Sequence, residues 1–163
     1  MRIGIDFDRV IFDTDSFNEY LKEEVEGLEH VETSPYNEHG VYSPEIHAEI
    51  CGIDVERIYD AMEELGGFVY DDISDISSTD HELVLITRGQ KYYQKKKIEG
   101  AGVEDKFDKT IVVEKGSKDV ADIDFLIDDQ KREIEKAGVP GFEFDREKHS
   151  LSDALEEAEK HET

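Results

Sequence analysis

Two aspartates, Asp6 and Asp8, stand one residue apart at the end of the first apolar run, RIGIDFD over residues 2–8. A carboxylate can attack phosphorus and form an acyl phosphate. A second carboxyl can protonate the leaving oxygen and then activate water. Residues two apart on an extended strand point to the same side, so the pair suits phosphoryl transfer, although two acids alone are weak evidence in so acidic a chain.

Three later apolar runs also end in side chains suited to this chemistry: Thr87 after LVLI, Lys115 and Lys118 after KTIVVE, and Asp128 with Asp129 after FLI. Ligands of open parallel sheets bind at the carboxyl ends of the strands, so we expect these groups to converge. Clustered carboxylates repel unless a cation neutralises them or they share protons, and an all-oxygen set suits Mg²⁺. A hydroxyl and an ammonium would hold the phosphoryl oxygens.

The positioning elements follow from periodicity and turn signals. We expect strands over 2–8, 81–89, 109–114, 122–129 and 142–144, and helices over 14–27, 43–52, 53–67, 90–102, 130–141 and 150–161. Strands that alternate with helices predict an α/β fold with a Rossmann-like parallel sheet. The helices and loops of residues 14–78 interrupt that alternation after the first strand.

Four segments together resemble the motifs of the haloacid dehalogenase-like superfamily of hydrolases: DFDRVIFDT (6–14), LVLITRG (83–89), a lysine before the fourth strand, and FLIDD (125–129). The resemblance implies a core of residues 1–13 and 79–163, and a small helical cap of residues 14–78 that closes over the site. Members that carry the second aspartate are mostly phosphatases, whereas true dehalogenases lack it. The resemblance therefore disfavours dehalogenation.

The resemblance also implies a role for each matching residue. Asp6 matches the nucleophile and Asp8 the acid/base, and both belong to the implied Mg²⁺ site, Asp8 through its backbone carbonyl. Asp129 matches the metal ligand, with Asp128 as support or co-ligand. Thr87 matches the phosphate-binding hydroxyl.

The sequence leaves three assignments undecided: which lysine binds the phosphate, whether Arg88 also does so, and what Arg9 does. Lys118 is favoured over Lys115 because the number of residues between it and Asp128 is similar to the spacing in the deoxyribonucleotidase branch of the family. Arg88 either contacts the substrate phosphate or lies at the start of a helix. Arg9 stands where the family usually has glycine, and its role is unassigned.

Several other features receive structural interpretations. The basic run 95–97 is expected to be a solvated helix face. Asp13 and Asp15 are expected to cap the next helix, and Cys51 to be buried in the cap. The cap aromatics are expected mainly in the core, with stacking on a base or sugar as the alternative: Phe17, Tyr20, Tyr36, Tyr42, Phe68 and Tyr70.

The expected function is hydrolysis of a small phosphomonoester by a Mg²⁺-dependent phosphatase through an aspartyl-phosphate. One alternative is a 5′-nucleotidase of the deoxyribonucleotidase type. Another is a phosphate- or partner-binding module with negligible turnover. The expected partner is a small phosphorylated metabolite or nucleotide, and the chain is expected to be a monomer or homodimer.

The amino-acid composition further limits the binding partners and the cellular environment expected for this protein. Forty-three acidic residues face 19 Lys and Arg, for a formal net charge of −24, which disfavours binding to nucleic-acid polymers or membranes by a basic face. A lone cysteine excludes a disulfide within the chain. The absence of a leader-like or 18-residue apolar segment favours a cytoplasmic protein. Acidity spread along the whole sequence indicates adaptation to a high-salt cytoplasm.

Salt should therefore stabilise the fold, because it screens repulsion among surface carboxylates. We expect the melting temperature to rise from dilute buffer to molar KCl. A melting series in KCl measures this effect, and equal stability at both ends of the series would contradict the adaptation.

Overall fold

The sheet has five parallel strands in the order β3-β2-β1-β4-β5. A computed structural model describes residues 1–31 and 35–162. The strands are β1 (Arg2–Ile5), β2 (Glu82–Arg88), β3 (Lys109–Val113), β4 (Phe125–Asp128) and β5 (Gly141–Glu143). β1 lies at the centre, where Gly4 is level with Val84 of β2 and Leu126 of β4. The predicted α/β class with a Rossmann-like parallel sheet is confirmed.

Both faces of the sheet are covered, which explains why its strands are continuous apolar runs. Ile3, Ile5 and Ile127 lie in the larger core cluster, whereas Val84 and Leu126 lie in a smaller one. Alternate residues of each strand point to opposite faces. The sheet therefore separates two cores, and the carboxyl ends of the strands are left to carry polar groups.

The helices are α1 (Thr14–Glu24), α2 (Pro44–Cys51), α3 (Glu56–Asp60), α4 (Lys91–Ala101), α5 (Lys131–Ala137) and α6 (Leu151–Glu159). Side chains cap α2 and α6: Ser43 and Ser150 each accept a backbone N–H in the first turn. Asp13 caps α1 by accepting from the Ser16 N–H. Asp15 lies in the first turn and pairs with Arg9 instead.

Three helices are shorter than predicted. α5 ends at Ala137 because its C-cap residue, Gly138, adopts the left-handed conformation at φ +71°. α1 ends at Glu24, because Val25 adopts an extended conformation at φ −100° and ψ 101°, and Gly27, at φ +86°, then turns the chain. The predicted helix over 53–67 was wrong beyond Asp60: the Leu65 N–H donates to the Gly100 carbonyl of α4 at 2.8 Å, so a tertiary partner replaces the helical one. The glycines at 66 and 67 lie in a 3₁₀ helix (Gly66–Phe68) and do not terminate an α-helix.

The segment between β1 and β2 holds α1, α2, α3 and two 3₁₀ helices, Gly66–Phe68 and Asp71–Ser78. Its buried residues Phe17 and Leu65 belong to the same cluster as Ile3 and Ile5. Cys51 is partly exposed, contrary to the expectation of burial. The predicted loop before α2 includes residues 32–34, which lie outside the described residues. Across the described chain, the helices are too short and polar to cross a membrane.

Candidate active site

The chain leaves β1 through a tight loop, residues 7–12. The Phe7 carbonyl accepts hydrogen bonds from the N–H groups of Val10, Ile11 and Phe12 at 2.9–3.3 Å. Arg9 adopts φ +66°, the left-handed region that glycine enters most easily. The predicted strand over 2–8 was therefore too long, because Asp8 belongs to this loop and not to the strand.

Asp6 lies directly after β1, and only 6% of its surface is exposed. Its Oδ1 accepts a hydrogen bond from the Lys118 ammonium at 3.0 Å, and the same ammonium donates to Asp128 Oδ2 at 2.5 Å. Lys118 is buried as well. Carboxyl groups from β1 and β4 thus share one buried cation supplied by the segment after β3.

A third carboxylate, that of Asp129, lies beside the two that share the Lys118 ammonium. Atoms of Asp6, Asp128 and Asp129 lie within 4.8 Å of one another. Burial raises the pKa of Asp6 well above its ordinary value, and neighbouring carboxylates add to this effect while Lys118 opposes it. Burial opposes the charge of Lys118, but Asp6 and Asp128 outweigh it and raise the pKa of the ammonium. An all-oxygen cluster with excess negative charge fits a hard divalent cation such as Mg²⁺.

Asp8 has a separate environment, rich in hydrogen-bond donors. Its Oδ1 accepts from Lys97 Nζ and Thr14 Oγ1, both at 2.8 Å, and its Oδ2 accepts from Gln94 Nε2 at 3.0 Å. Burial alone would raise the pKa of Asp8, but the ammonium of Lys97 and the other donors outweigh it and lower this pKa. The two aspartates are thus held by different lysines.

Gln94 connects Asp8 to the end of β2. Its Nε2 donates to Thr87 Oγ1 at 2.7 Å, so the hydroxyl proton of Thr87 is left to donate elsewhere. Gly89 makes room for this side chain, since a Cβ at position 89 would lie inside van der Waals distance of Gln94. Thr87 itself is fully buried at the site.

Arg88 points into a structural ion pair. Its guanidinium donates to both carboxylate oxygens of Glu133, at 2.8 and 3.1 Å, and to the Gly116 carbonyl at 2.7 Å. The pair joins the end of β2 to α5 and to the segment after β3. Lys115 is exposed, whereas Lys118 lies at Asp6.

A clamp from the chain's C-terminal part holds the loop 7–12. Arg146 donates to the Val10 carbonyl from Nε at 3.1 Å and from Nη2 at 2.5 Å. It also forms two 2.7 Å bonds to the carboxylate of Asp72, and its guanidinium carbon lies 4.0 Å from the centre of the Tyr70 ring. The Tyr70 N–H in turn donates to the Ile11 carbonyl.

A cleft of about 840 Å³ opens over these strand ends, and its described walls include both aspartates, Thr14 and the rim residue Tyr36. Its charge differs from that of the chain as a whole. The described lining contains more basic than acidic side chains: Arg9, Lys22, Arg88, Lys97, Lys118 and Arg132 against Asp6, Asp8, Asp128, Asp129 and Glu133.

Sequence reasoning missed four residues of this site: Thr14, Gln94, Lys97 and Arg146. The expectation of a solvated face over 95–97 was wrong for Lys97, whose side chain is 4% exposed, while Lys95 is exposed. Helical spacing carried the signal for two of the four, because Gln94 and Lys97 share a stripe with the buried Tyr93, Ile98 and Ala101 of α4. No local pattern marked Arg146.

Comparisons with solved structures agree with this fold. A haloacid dehalogenase-like hydrolase from Xanthomonas campestris has a TM-score of 0.53 at 17% identity, over 86% of this chain and 81% of that one. A hydrolase of the same type from Bacillus subtilis, solved with magnesium, has a TM-score of 0.54 at 13% identity, over 86% of this chain and 84% of that one. A 2-haloacid dehalogenase from Pseudomonas syringae scores 0.55 at 13% identity over 96% and 98%.

No protein-family model matches the chain, and no curated protein matches it in sequence. At these identities the structural likeness establishes the fold. The chain therefore has the haloacid dehalogenase-like fold, and the predicted resemblance is confirmed at that level.

Removal of the Arg146 clamp should destabilise the protein. In Arg146→Met the Asp72 carboxylate loses its cation and the Val10 carbonyl loses its donors, so we expect the free energy of unfolding to fall by about 2 kcal/mol. Urea denaturation measures the change. Arg57→Met, on an exposed face of α3, should stay within about 0.5 kcal/mol of wild type.

The effect of this substitution should depend on pH. Burial would raise the pKa of Asp72, but the bonds from Arg146 and the Leu151 N–H outweigh it and lower this pKa. A carboxyl with a lowered pKa stabilises the fold above its ordinary pKa and loses that contribution as pH falls. The gap between wild type and Arg146→Met should be full at pH 7 and shrink below about pH 4. A constant gap would contradict the assignment.

Proposed function

We propose that the protein is a Mg²⁺-dependent phosphatase that hydrolyses a small phosphomonoester through an aspartyl-phosphate. The observation that carries the proposal is the meeting of Asp6, Lys118 and Asp128 at one sheet edge, together with the contact of Gln94 with both Asp8 and Thr87. Nucleophile, cation, hydroxyl and second carboxyl are the parts that phosphoryl transfer requires.

In the first step a carboxylate oxygen of Asp6 attacks phosphorus. The bond between phosphorus and the leaving oxygen breaks, and the electron pair stays on that oxygen, which takes a proton from Asp8. Thr87 donates its free hydroxyl proton to a phosphoryl oxygen, and Lys118 balances negative charge beside Asp6.

In the second step the Asp8 carboxylate accepts a proton from water as the water attacks phosphorus. The bond between phosphorus and Asp6 breaks, which releases phosphate and restores the Asp6 carboxylate. The donors around Asp8 favour its carboxylate form, which this step requires. The first step then uses the minority of molecules in which Asp8 carries a proton.

Asp6, Asp128 and Asp129 would hold Mg²⁺, with the Asp8 carbonyl as a further ligand. When bound, the ion neutralises phosphoryl oxygens and orients the substrate. Two basic side chains of the described cleft lining, Lys22 and Arg132, form no salt bridge with another described residue and support an anionic substrate. We propose that residues 14–78 act as the cap, and that water is excluded when it closes.

Replacement of the nucleophile should abolish turnover. We expect Asp6→Asn to lower kcat on p-nitrophenyl phosphate by at least about 10³-fold, because no acyl phosphate forms. The assay uses Mg²⁺ and molar KCl, and chelation by EDTA should remove the activity of wild type.

Asp13→Asn is the matched control, because Asn caps α1 as well as Asp does, and it should keep wild-type kcat. Equal activity of Asp6→Asn and wild type would contradict the nucleophile. A wild-type protein that binds inorganic phosphate without turnover would favour the binding-module alternative.

A 5′-nucleotidase of the deoxyribonucleotidase type is the second candidate. Tyr36 favours it: this ring is 53% exposed at the rim of the cleft, near Val41, and could stack on a base. Most of the other cap aromatics are engaged elsewhere, since Phe17 and Phe68 pack with Phe12 in the core.

A substrate panel separates the two candidates. If Tyr36 stacks on a base, nucleoside monophosphates should show a higher kcat/KM than sugar phosphates, and Tyr36→Ala should raise KM for the nucleotides alone by about tenfold. Tyr92→Ala, a similarly exposed tyrosine outside the described cleft walls, is the control. Preference for sugar phosphates would contradict the nucleotidase.

A further inference from the structure

Lys97 is a buried cation whose one ion pair among the described residues is with Asp8. Its side chain is 4% exposed, and Nζ donates to Asp8 Oδ1 at 2.8 Å. Burial of an ammonium costs several kcal/mol, and removal of one partner of a buried ion pair leaves the other charge without compensation. Lys97 is therefore bound to the Asp8 carboxylate by charge and not by packing alone.

Aromatic rings hold this ammonium in place. Nζ lies 5.0 Å from the ring centre of Tyr93 and 5.7–5.9 Å from those of Phe17, Phe7 and Phe12. A cation within about 6 Å of a ring face is attracted by its quadrupole. These rings come from α4, α1 and the loop 7–12, so the ammonium is fixed relative to three elements.

The anchored ammonium fixes one end of the Asp8 carboxylate. Oδ1 accepts from both Lys97 and Thr14. Among the described residues, Oδ2 accepts only from Gln94, which also contacts Thr87. Oδ2 is thus held on the side of Thr87, where the phosphoryl group is proposed to lie. Free rotation of Asp8 about its side-chain bonds would remove this orientation.

We propose that Lys97 is a positioning residue that orients the Asp8 carboxylate for the water-activating step. The inference rests on the proposed phosphatase function. It extends that function to Lys97, which contacts Asp8 and is not itself proposed to contact the phosphate or the metal ion. Lys97 acts on the second step because the rate of that step depends on the position of the Asp8 carboxylate relative to the attacking water.

The test is the steady-state and burst kinetics of p-nitrophenyl phosphate hydrolysis by Lys97→Met. Methionine fills a similar volume without the charge. We expect kcat to fall by about 10- to 100-fold. The initial burst of p-nitrophenolate, one per protein, should keep its wild-type rate, because this weakly basic leaving group departs without a proton from Asp8. Lys95→Met, exposed on the same helix, should match wild type in both.

A double-mutant cycle with Asp8→Asn separates positioning from general structural damage. If Lys97 acts through Asp8, adding Lys97→Met to Asp8→Asn should change kcat by less than about twofold. An equal loss in both backgrounds, or an equal loss of burst and steady state, would overturn the proposal.

Two further outcomes are distinguished from a loss of positioning: misfolding of the variant and absence of phosphatase activity in the wild-type protein. If Lys97→Met fails to fold by circular dichroism, the comparison of Asp8→Asn with Asp8→Asn/Lys97→Met decides, because with asparagine at position 8 the loss of Lys97 leaves no buried carboxylate without a partner. Equal kcat in these two supports positioning, and a tenfold loss contradicts it. A wild-type protein without turnover would reject the phosphatase itself, whereas an active wild type with an unchanged Lys97→Met rejects positioning alone.

Discussion

Two buried ammonium groups stabilise two aspartates that stand one residue apart in the chain. Lys118 reaches Asp6 from the segment after β3, and Lys97 reaches Asp8 from α4. Without them, two neighbouring carboxylates in a low-dielectric site would repel and favour neutral forms. Much of the surrounding architecture serves to bring one cation to each acid and to keep the two pairs apart.

That separation depends on the loop 7–12. The chain turns at Phe7, which stands between Asp6 and Asp8 in the sequence and is buried. Arg9, in the left-handed conformation, completes the turn. Arg9 lacks the freedom of glycine, but its guanidinium gains Asp15 of α1 at 3.0 Å. Asp6 consequently stays with the sheet, while Asp8 is carried toward α1 and α4.

Apolar runs and their polar ends predicted the strands and the contact of Lys118 with Asp6 and Asp128, since parallel strands align their carboxyl ends. Two failures have physical causes. The helix over 53–67 stops early because a backbone N–H finds a partner in α4. The run 95–97 was interpreted by charge alone, although the 3.6-residue period places Lys97 on the buried stripe of α4.

Arg146 lies beyond any such reasoning, because its bond to Val10 spans 136 positions. The same separation has a consequence for biosynthesis. A chain that leaves the ribosome exposes Asp6 and Asp8 early, whereas the partners of Asp6 and of the adjoining loop are synthesised 112 and 136 residues later. Contacts so distant in sequence form late in folding. A truncated translation product that ends before Arg146 would retain both aspartates and lack the arginine that holds the Val10 carbonyl.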